Sequence, residues 1–268
     1  MRPRHVLAIT LGLLLLVAGC GDRTTGMPQA ETPRPGAPTG TPAPTPSATP
    51  SRPPASARPT PTVPPLRPLP ATLPAGLSRT SGARGVALTF DDGPHPVWTP
   101  KLLDQLRAAH VTATFCLVGV QVRAHPELVA RIVREGHQLC NHSWRHDMDL
   151  GRRPVAQIRA DLERTNQAIR AAVPGAKVPY FRQPGGRWTA EEITVARQLG
   201  MRPLHWSVDP QDWAKPPTDM IVHRVEGHAR PGAVILMHDG GGDRGGTLAA
   251  CPRLLADLKH RFGIARLH

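Results

Sequence analysis

Residues 85–94 read Gly-Val-Ala-Leu-Thr-Phe-Asp-Asp-Gly-Pro, in which an apolar run ends in two adjacent acids and a turn. Large apolar side chains occupy every second position up to Phe90, the spacing of a strand that buries one face. Asp91 and Asp92 follow at once, so their charges stand at the edge of a core, where catalysis or metal binding usually occurs. A solvated Asp-Asp turn is the alternative, and the pair by itself does not distinguish the two.

The sequence after this strand alternates between short apolar runs and longer amphipathic segments. Such alternation predicts a parallel sheet with helices outside it. Residues 81–268 are few for eight full strand-helix units, so the predicted fold is α/β, an irregular or incomplete (β/α) barrel. Thr189 and Glu192 have the spacing of a capping box at the start of one helix. The predicted strands are residues 85–90, 111–118, 137–140, 179–182, 203–207, 233–237 and 263–267, and the predicted helices begin near residues 99 and 126 or span residues 154–172, 189–199, 218–228 and 248–261.

The first 19 residues have the organisation of an export signal. Arg2 and Arg4 make the start basic, and residues 6–17 are an apolar stretch too short for a stable membrane anchor. Residues 17–20, Val-Ala-Gly-Cys, resemble a bacterial lipobox, which implies that Cys20 is lipidated after cleavage and holds the chain on a membrane. An ordinary signal peptide with an incidental cysteine is the alternative.

Residues 20–80 are predicted to be a disordered tether that leads to a folded domain at residues 81–268. Seventeen of the 32 prolines fall between residues 21 and 79, among Thr, Ala and Ser. Such a segment has too few large apolar residues to offset its ordering entropy, and its prolines favour extended polyproline II. Fully extended, it would reach on the order of 180 Å, enough to carry the domain from a membrane into a surrounding wall.

The net charge of +13 includes 25 basic and 18 acidic residues from residue 81 onward. A nucleic-acid partner is not predicted, because no basic stretch is interleaved with aromatic residues and an exported protein rarely meets nucleic acid. Attraction to anionic envelope polymers or lipid is one interpretation of the excess, and a solvated Arg-rich surface is the other. No protein partner is predicted.

Polar residues recur just after the predicted strands. Loops at the carboxyl ends of parallel strands share one face, which is where α/β folds place their sites. We therefore expect Asp91 and Asp92 to meet side chains from four further segments in one pocket. These side chains are His142, Arg182, Asp209, Asp212, His238 and Asp239.

His142 and His146 lie four residues apart, a spacing that puts two imidazoles on one face of a helix, where both can bind a metal. Two histidines and one carboxylate make a three-ligand set for a divalent ion with an open position for water. Two histidines at this spacing are by themselves more often exposed residues without a binding role. The expectation that they lie close to Asp91 and Asp92 favours the metal site. The remaining histidines have no comparable partners and are interpreted as structural or solvated.

The folded segment, about residues 84–268, resembles the polysaccharide deacetylases of carbohydrate esterase family 4, the NodB-homology domain. Five motifs occur in the order of that family and at sensible spacing, so a chance match on an unrelated fold is improbable. The motifs are residues 89–94, 142–146, 182–186, 209–213 and 235–239.

The resemblance implies a metal-dependent hydrolysis. Asp92, His142 and His146 would hold a divalent metal, zinc by preference, with cobalt, manganese or nickel as alternatives. Asp91 would be the general base that takes a proton from the attacking water.

The resemblance also assigns the remaining catalytic residues. His238 would be the general acid that protonates the leaving amine, with Asp212 stabilising its protonated form. A buried structural His-Asp hydrogen bond is the alternative for that pair. Arg182 would keep Asp91 ionised and oriented, and its alternative is a surface salt bridge.

Three further residues would contact the substrate. Gly185 would stabilise the oxyanion through its backbone N–H, and Trp213 and Leu236 would line the acetyl pocket or simply belong to the core. The third motif departs from the family's commonest form, which has proline in place of Gln183 and an aromatic residue in place of Gly185. We expect this departure to lower or loosen the wall of the sugar-binding groove without changing the chemistry.

The last expectation from the sequence concerns which cysteines of the folded segment are paired. Cys116 and Cys140 lie on strands that would be neighbours in this fold, so in an oxidising exterior they either pair as a disulfide or remain free. Cys251 is then left unpaired as a small buried residue.

The expected protein is an exported, lipid-anchored enzyme on the outer face of the cell membrane. It would hydrolyse N-acetyl groups of a glycan, with peptidoglycan N-acetylglucosamine or N-acetylmuramic acid as first choice, and release acetate. Chitooligosaccharide deacetylation and O-acetyl xylan esterase activity are alternatives within the family. A non-catalytic glycan-binding module is the alternative of another class, and the intact set of candidate catalytic residues argues against it.

Overall fold

The computed structural model describes residues 72–268. The predicted signal peptide at residues 1–19, the predicted lipidation site Cys20 and residues 20–71 of the predicted tether lie outside the described residues. Among the helices between residues 72 and 268, none is long and apolar enough to cross a membrane.

Six parallel strands form one curled sheet that stays open, so the predicted incomplete (β/α) barrel is confirmed. The strands are β1 (Ala87–Asp91), β2 (Thr114–Leu117), β3 (Gln138–Asn141), β4 (Tyr180–Phe181), β5 (Arg202–Pro203) and β6 (Val234–His238). Their order is β5-β4-β3-β2-β1-β6, which puts the strand with the paired acids between β2 and β6. Both of its neighbours are therefore hydrogen-bonded to it and hold its end in place.

Seven helices pack against the outer face of the sheet within the described part of the chain. They are α1 (Trp98–Ala108), α2 (Gly119–Ala124), α3 (Pro126–Arg134), α4 (Val155–Ala172), α5 (Ala190–Gln198), α6 (Thr218–His228) and α7 (Gly245–Arg261). The helix α2 has no counterpart among the sequence predictions, since six residues that include glycine and two valines have weak helix propensity.

The strands bury both of their faces. Leu88 and Phe90 of β1 point into the main core between the sheet and the helices, whereas Ala87 belongs to a smaller apolar cluster on the inner, concave face. The same alternation recurs in β6, where Ile235 faces the main core and Leu236 the inner cluster. Because both faces are filled, the position of each strand end is tightly determined.

Cys116 and Cys140 are opposite residues of β2 and β3 and form a disulfide. Both side chains are fully buried in the inner cluster. Of the two alternatives for this pair, the structure has the bonded one. Cys251, buried in α7, is the free cysteine of residues 72–268.

The prediction of a seventh strand at residues 263–267 is wrong. The backbone there makes a single parallel bridge, between Ile264 and Val86. The backbone N–H of Leu267 then donates to the side chain of Gln138 and that of His268 to the carbonyl of Ser81. The segment therefore leaves the sheet after one residue, because its later N–H groups find partners outside the ladder.

The predicted cap of α5 is half formed. The hydroxyl of Thr189 accepts a hydrogen bond from the backbone N–H of Glu192, as a capping box requires. The side chain of Glu192 is fully buried, and neither of its carboxylate oxygens has a hydrogen-bond partner among the described residues. Burial raises the pKa of Glu192 to about 8, and the charges of Asp161 and Asp147 add to the rise.

Glu192→Gln should therefore stabilise the domain at neutral pH. The folded pKa of about 8 lies above the ordinary value of 4.5, so between these values the folded state keeps a proton that the unfolded chain has lost. The stability that the neutral carboxyl contributes is full below pH 4.5 and falls by ~1.4 kcal/mol per pH unit as the pH rises towards 8. Urea unfolding at about pH 5 and about pH 7 should show the advantage of the variant growing by about 2 to 3 kcal/mol.

The exposed neighbour Glu191 supplies the matched control, Glu191→Gln, which should leave the pH slope unchanged. Equal slopes for the wild-type protein and Glu192→Gln would contradict the burial of an uncharged carboxyl at this position.

Candidate active site

Four strand ends bring the candidate residues to one edge of the sheet. Asp91 is the last residue of β1, and His238 is the last residue of β6. His142 follows β3 directly, and Arg182 follows β4. Since all the strands run parallel, these four side chains lie at the same carboxyl edge, as the sequence predicts.

Asp92, His142 and His146 form the candidate metal centre. One ligand atom from each lies within 4.8 Å of the other two. The Nε2 atoms of His142 and His146 are 3.5 Å and 3.2 Å from Oδ1 of Asp92. That oxygen is buried and has no hydrogen-bond partner among the described residues, which fits the role of a cation ligand. Two imidazoles and a carboxylate fit zinc and related divalent ions.

The ring of His142 is oriented by the backbone. Its Nδ1 lies 2.8 Å from the carbonyl oxygen of Arg182, and because a carbonyl can only accept, Nδ1 carries the hydrogen. The lone pair is thereby left on Nε2, which faces Asp92. A ligand histidine held in one tautomer in this way binds a metal better than a free ring.

Asp92 is ionised. Burial by itself raises the pKa of this carboxyl, but the nearby imidazoles of His142, His238 and His146 bring the pKa well below its usual range. The carboxylate is therefore available as a ligand at all physiological pH values.

The backbone around the site is strained. Left-handed φ angles are uncommon in residues other than glycine, because the side chain clashes with the backbone. Five of the six such residues in the described chain lie in the segments that carry the site, a concentration typical of functional sites. These five are Asp92, Ser143, His146, Gln211 and Lys215, and the sixth is His110.

The expectation that His142 and His146 share a helix face is wrong. The segment that carries them is irregular, and the positive φ angles of Ser143 and His146 turn the chain back on itself. The two rings lie with their centroids 5.0 Å apart all the same, because this turn brings them to Asp92 by another route.

Arg182 holds Asp91. Its Nη1 lies 2.6 Å from Oδ1 of Asp91 and also donates to the hydroxyl of Thr89. Its other nitrogens donate to the carbonyls of Leu204 and His205. The guanidinium is fully buried, so this ion pair is unscreened by water and the alternative of a surface salt bridge is excluded.

His238 and Asp212 form a second pair. The Nδ1 atom of His238 lies 2.7 Å from Oδ1 of Asp212, and Oδ2 accepts hydrogen bonds from the backbone N–H of His238 and from the hydroxyl of Thr247. Burial by itself lowers the pKa of His238, but the carboxylate of Asp212 opposes this and raises the pKa to about 9. The imidazole is therefore positively charged at neutral pH.

The three candidate substrate residues lie in different environments. Leu236 is buried in the inner cluster, and Trp213 is 43% exposed. Gly185 has a left-handed backbone, with φ of 63°. An exposed tryptophan next to the His238–Asp212 pair can contact a ligand, whereas Leu236 lies within the core.

Comparison with known proteins agrees with this arrangement. The family model for polysaccharide deacetylases matches residues 78–204. A chitooligosaccharide deacetylase of Bradyrhizobium sp. (strain ANU 289) is 45% identical over 160 residues, which make up 60% of this chain and 73% of that relative. The chain belongs to the polysaccharide deacetylase family. A peptidoglycan-N-acetylglucosamine deacetylase of Bacillus cereus is 37% identical over 177 residues, 65% of this chain and 81% of the relative.

A solved structure of the family has the same fold. It is a peptidoglycan N-acetylglucosamine deacetylase in complex with 4-naphthalen-1-yl-N-oxidanyl-benzamide, and it is 32% identical with a TM-score of 0.67. The likeness covers 71% of this chain and 89% of that one. The resemblance to polysaccharide deacetylases is thereby confirmed, and with it a metal-dependent amide hydrolase that acts on the N-acetyl groups of polysaccharides.

The geometry of this polysaccharide deacetylase provides two groups near Asp92, His142 and His146 that can take or give a proton. Oδ2 of Asp91 is left free by Arg182 and lies 3.5 Å from Nε2 of His142, so it can accept a proton from a water beside the trio. Nε2 of His238 is left free by Asp212, so it can donate a proton.

One buried residue of the site carries no strong signal in the sequence. Arg244 donates to the carbonyls of Gly240, Gly241 and Asp212, and so ties the loop after β6 to the partner of His238. One arginine among many cannot be singled out by pattern. Asp239, which the sequence places in the fifth motif and among the polar residues expected in the pocket, accepts from the hydroxyl of Thr99.

The two adjacent acids should respond differently to replacement. Asp92→Asn should lower zinc affinity by about 100-fold or more, because an amide oxygen is a poor substitute for a carboxylate ligand. Asp91→Asn should leave zinc affinity within a few-fold, because one oxygen of Asp91 is bound by Arg182 and the candidate ligand set of Asp92, His142 and His146 is complete without it. Competition with a chromophoric chelator measures both affinities without an activity assay.

Circular dichroism of both variants controls for folding, since each change is isosteric. An equal loss of zinc affinity in the two variants would overturn the division of roles between them.

Proposed function

We propose that this enzyme removes N-acetyl groups from peptidoglycan, with Asp91 as general base and His238 as general acid. The proposal rests on one observation: the candidate metal centre lies beside two oriented side-chain pairs at one edge of the sheet. The pairs are Asp91–Arg182 and His238–Asp212. Hydrolysis of an amide needs one group to take a proton and another to give one, and the two pairs supply them.

The proposed reaction balances as follows. Asp91 takes a proton from a water whose oxygen attacks the acetamide carbon, and His238 gives a proton to the nitrogen as the carbon–nitrogen bond breaks. Acetate and a free sugar amine are formed. A divalent cation held by Asp92, His142 and His146 supplies Lewis-acid polarisation of the carbonyl oxygen when it is bound. The backbone N–H of Gly185 is the proposed second donor to the oxyanion.

Zinc is the proposed metal. Three protein ligands of the His-His-Asp type with space for a fourth are the arrangement of catalytic zinc sites. Cobalt, manganese and nickel accept the same nitrogen and oxygen ligands and remain the proposed alternatives.

Two observations favour peptidoglycan. A relative at 37% identity is named a peptidoglycan-N-acetylglucosamine deacetylase. A positively charged lysine side chain also lies near the site. Lys215 is exposed and forms no salt bridge with any residue between 72 and 268. Its Nζ lies 3.6 Å from the position that a Cβ atom on Gly242 would occupy. The preceding Gly241 lies against the carboxylate of Asp92. Peptidoglycan carries carboxylates that a lysine attracts, whereas chitooligosaccharides are neutral.

Chitooligosaccharide deacetylation is the second candidate function. It is supported by the relative with 45% identity. The two candidates share their chemistry and differ only in what lies beyond the reacting sugar.

Acetate release should therefore be measured on purified peptidoglycan, N-acetylglucosamine oligomers and acetylated xylan. We expect release from peptidoglycan that chelator abolishes and zinc restores, and a loss of at least about 1,000-fold in kcat for Asp91→Asn. Lys215→Gln should lower kcat/KM on peptidoglycan about 3-fold at low salt and leave the neutral oligomers unaffected.

Lys177→Gln is the matched control, because Lys177 is an exposed lysine before β4, at the opposite edge of the sheet. Faster release from the oligomers than from peptidoglycan would favour the second candidate. No acetate from any substrate with zinc present would overturn the enzymatic proposal.

We propose further that the enzyme is exported and held on the outer face of the membrane by a lipid on Cys20, with residues 20–80 as tether and residues 81–268 as catalytic domain. The basic and apolar organisation of residues 1–19 supports this. Such an anchor would leave the domain within reach of the wall.

Cys20→Ala should release the protein from the membrane. Because lipidation needs the thiol, the variant should move to the soluble fraction after cell disruption, while the control Cys251→Ala stays with the membrane. Membrane fractionation with immunodetection measures both, and retention of Cys20→Ala on the membrane would refute the anchor.

A further inference from the structure

Met148 occupies an unusual position for an apolar side chain. It lies two residues after the candidate metal ligand His146 and is half-buried. It is not among the apolar side chains that form or pack on the main core, nor does it belong to the inner cluster. Its apolar surface is therefore not explained by the packing of the described domain.

The side chain of Met148 covers Gly185. A Cβ atom on Gly185 would stand 2.9 Å from Sδ of Met148 and still closer to Cε. The left-handed φ of 63° at Gly185 also favours glycine. The space beside the Gly185 backbone is thus filled by a side chain from a different segment of the chain.

Gln183 holds that segment in place. Its side chain is fully buried, and its Nε2 donates to the carbonyl oxygens of Asp147 and Met148 at 3.2 Å and 3.1 Å. Carbonyl oxygens only accept, so the amide has one possible orientation. The backbone of Met148 is thereby tied to the turn that starts at Arg182, the partner of Asp91.

These contacts join the segment that follows the candidate ligand His146 to the turn that follows Arg182. The Met148 thioether belongs to the segment that follows His146 and lies against the turn of Gly185, and the ring of His146, two residues earlier in the chain, is itself only partly covered. An unbranched thioether is flexible and adapts to an irregular partner surface.

We propose that Met148, positioned by Gln183, forms the wall of the substrate groove beside the metal ligands and contacts the N-acetylhexosamine that carries the reacting acetamide. This proposal rests on the proposed function for the identity of the ligand. It differs from the expectation of a low or loose wall at Gly185, because a methionine from another loop fills that place. Met148 is then a specificity-determining residue, and Gln183 is a positioning residue.

Steady-state kinetics test the contact. Met148→Ala should raise KM for N-acetylglucosamine oligomers about 5- to 10-fold with kcat within about 2-fold, and Met148→Leu should restore most of the affinity. Gln183→Leu should raise KM by a similar factor. The double variant Met148→Ala/Gln183→Leu should be no worse than either single variant within about 2-fold, because both changes remove one wall.

An unchanged KM in Met148→Ala overturns the contact. Additive effects of the two substitutions overturn the role of Gln183. Thermal unfolding of each variant accompanies the kinetics, and a KM change that tracks loss of folded protein counts against the proposal.

A second measurement needs no turnover. Met148 in the Asp91→Asn variant should be oxidised by hydrogen peroxide more slowly when N-acetylglucosamine oligomers are present, as measured by mass spectrometry of the peptide that contains it. Met220 on α6 is the internal control, because it is also half-buried but lies outside the motif segments.

Protection of Met148 but not Met220 supports the proposal even if no acetate is released, so its failure and that of the proposed function are distinguishable. Equal oxidation rates with and without oligomers, at concentrations that saturate turnover or reach their solubility limit, overturn it.

Discussion

The buried contact between Arg182 and Asp91 is the constraint on which the site depends. β4 and β1 are separated by β3 and β2, and the guanidinium spans this distance across the curled sheet. Its charge is fully buried, so loss of either partner would leave the other uncompensated at a cost of about 3–5 kcal/mol. The carbonyl of the same residue orients His142. One residue thus aligns the candidate base and a candidate metal ligand, which couples proton transfer to the metal centre.

The second constraint is the strand ends themselves. Strands with both faces buried cannot slide, so Asp91 and His238 stand opposite each other on paired strands. Beyond those ends the chain adopts strained turns, at Asp92, His146 and Lys215 among others. The rigid strands and the turns fixed by their surroundings together hold Asp91 and His238 at a constant separation. Catalysis by pre-organised groups requires such fixed positions.

Much of this arrangement could be predicted, for reasons that are local. The alternation up to Phe90 identifies β1, and the polar residues after each strand identify the shared edge. The seventh strand could not be judged correctly, because residues 263–267 have a strand composition but give their N–H groups to Gln138 and Ser81. The burial of Glu192 could likewise not be predicted from the sequence, since its spacing from Thr189 is that of an ordinary exposed capping box.

The sequence by itself determined the class of fold and the strand ends that carry the polar residues, because periodicity and the place of a residue after a strand are properties of neighbouring positions. The roles of the three candidate metal ligands and the two candidate proton carriers came from the resemblance to polysaccharide deacetylases. Only the tertiary structure decided that Cys116 bonds Cys140, that Arg244 braces Asp212, and that Met148 fills the space beside Gly185. Each of these joins residues distant in the chain, and such contacts depend on how the loops turn, which local pattern does not specify.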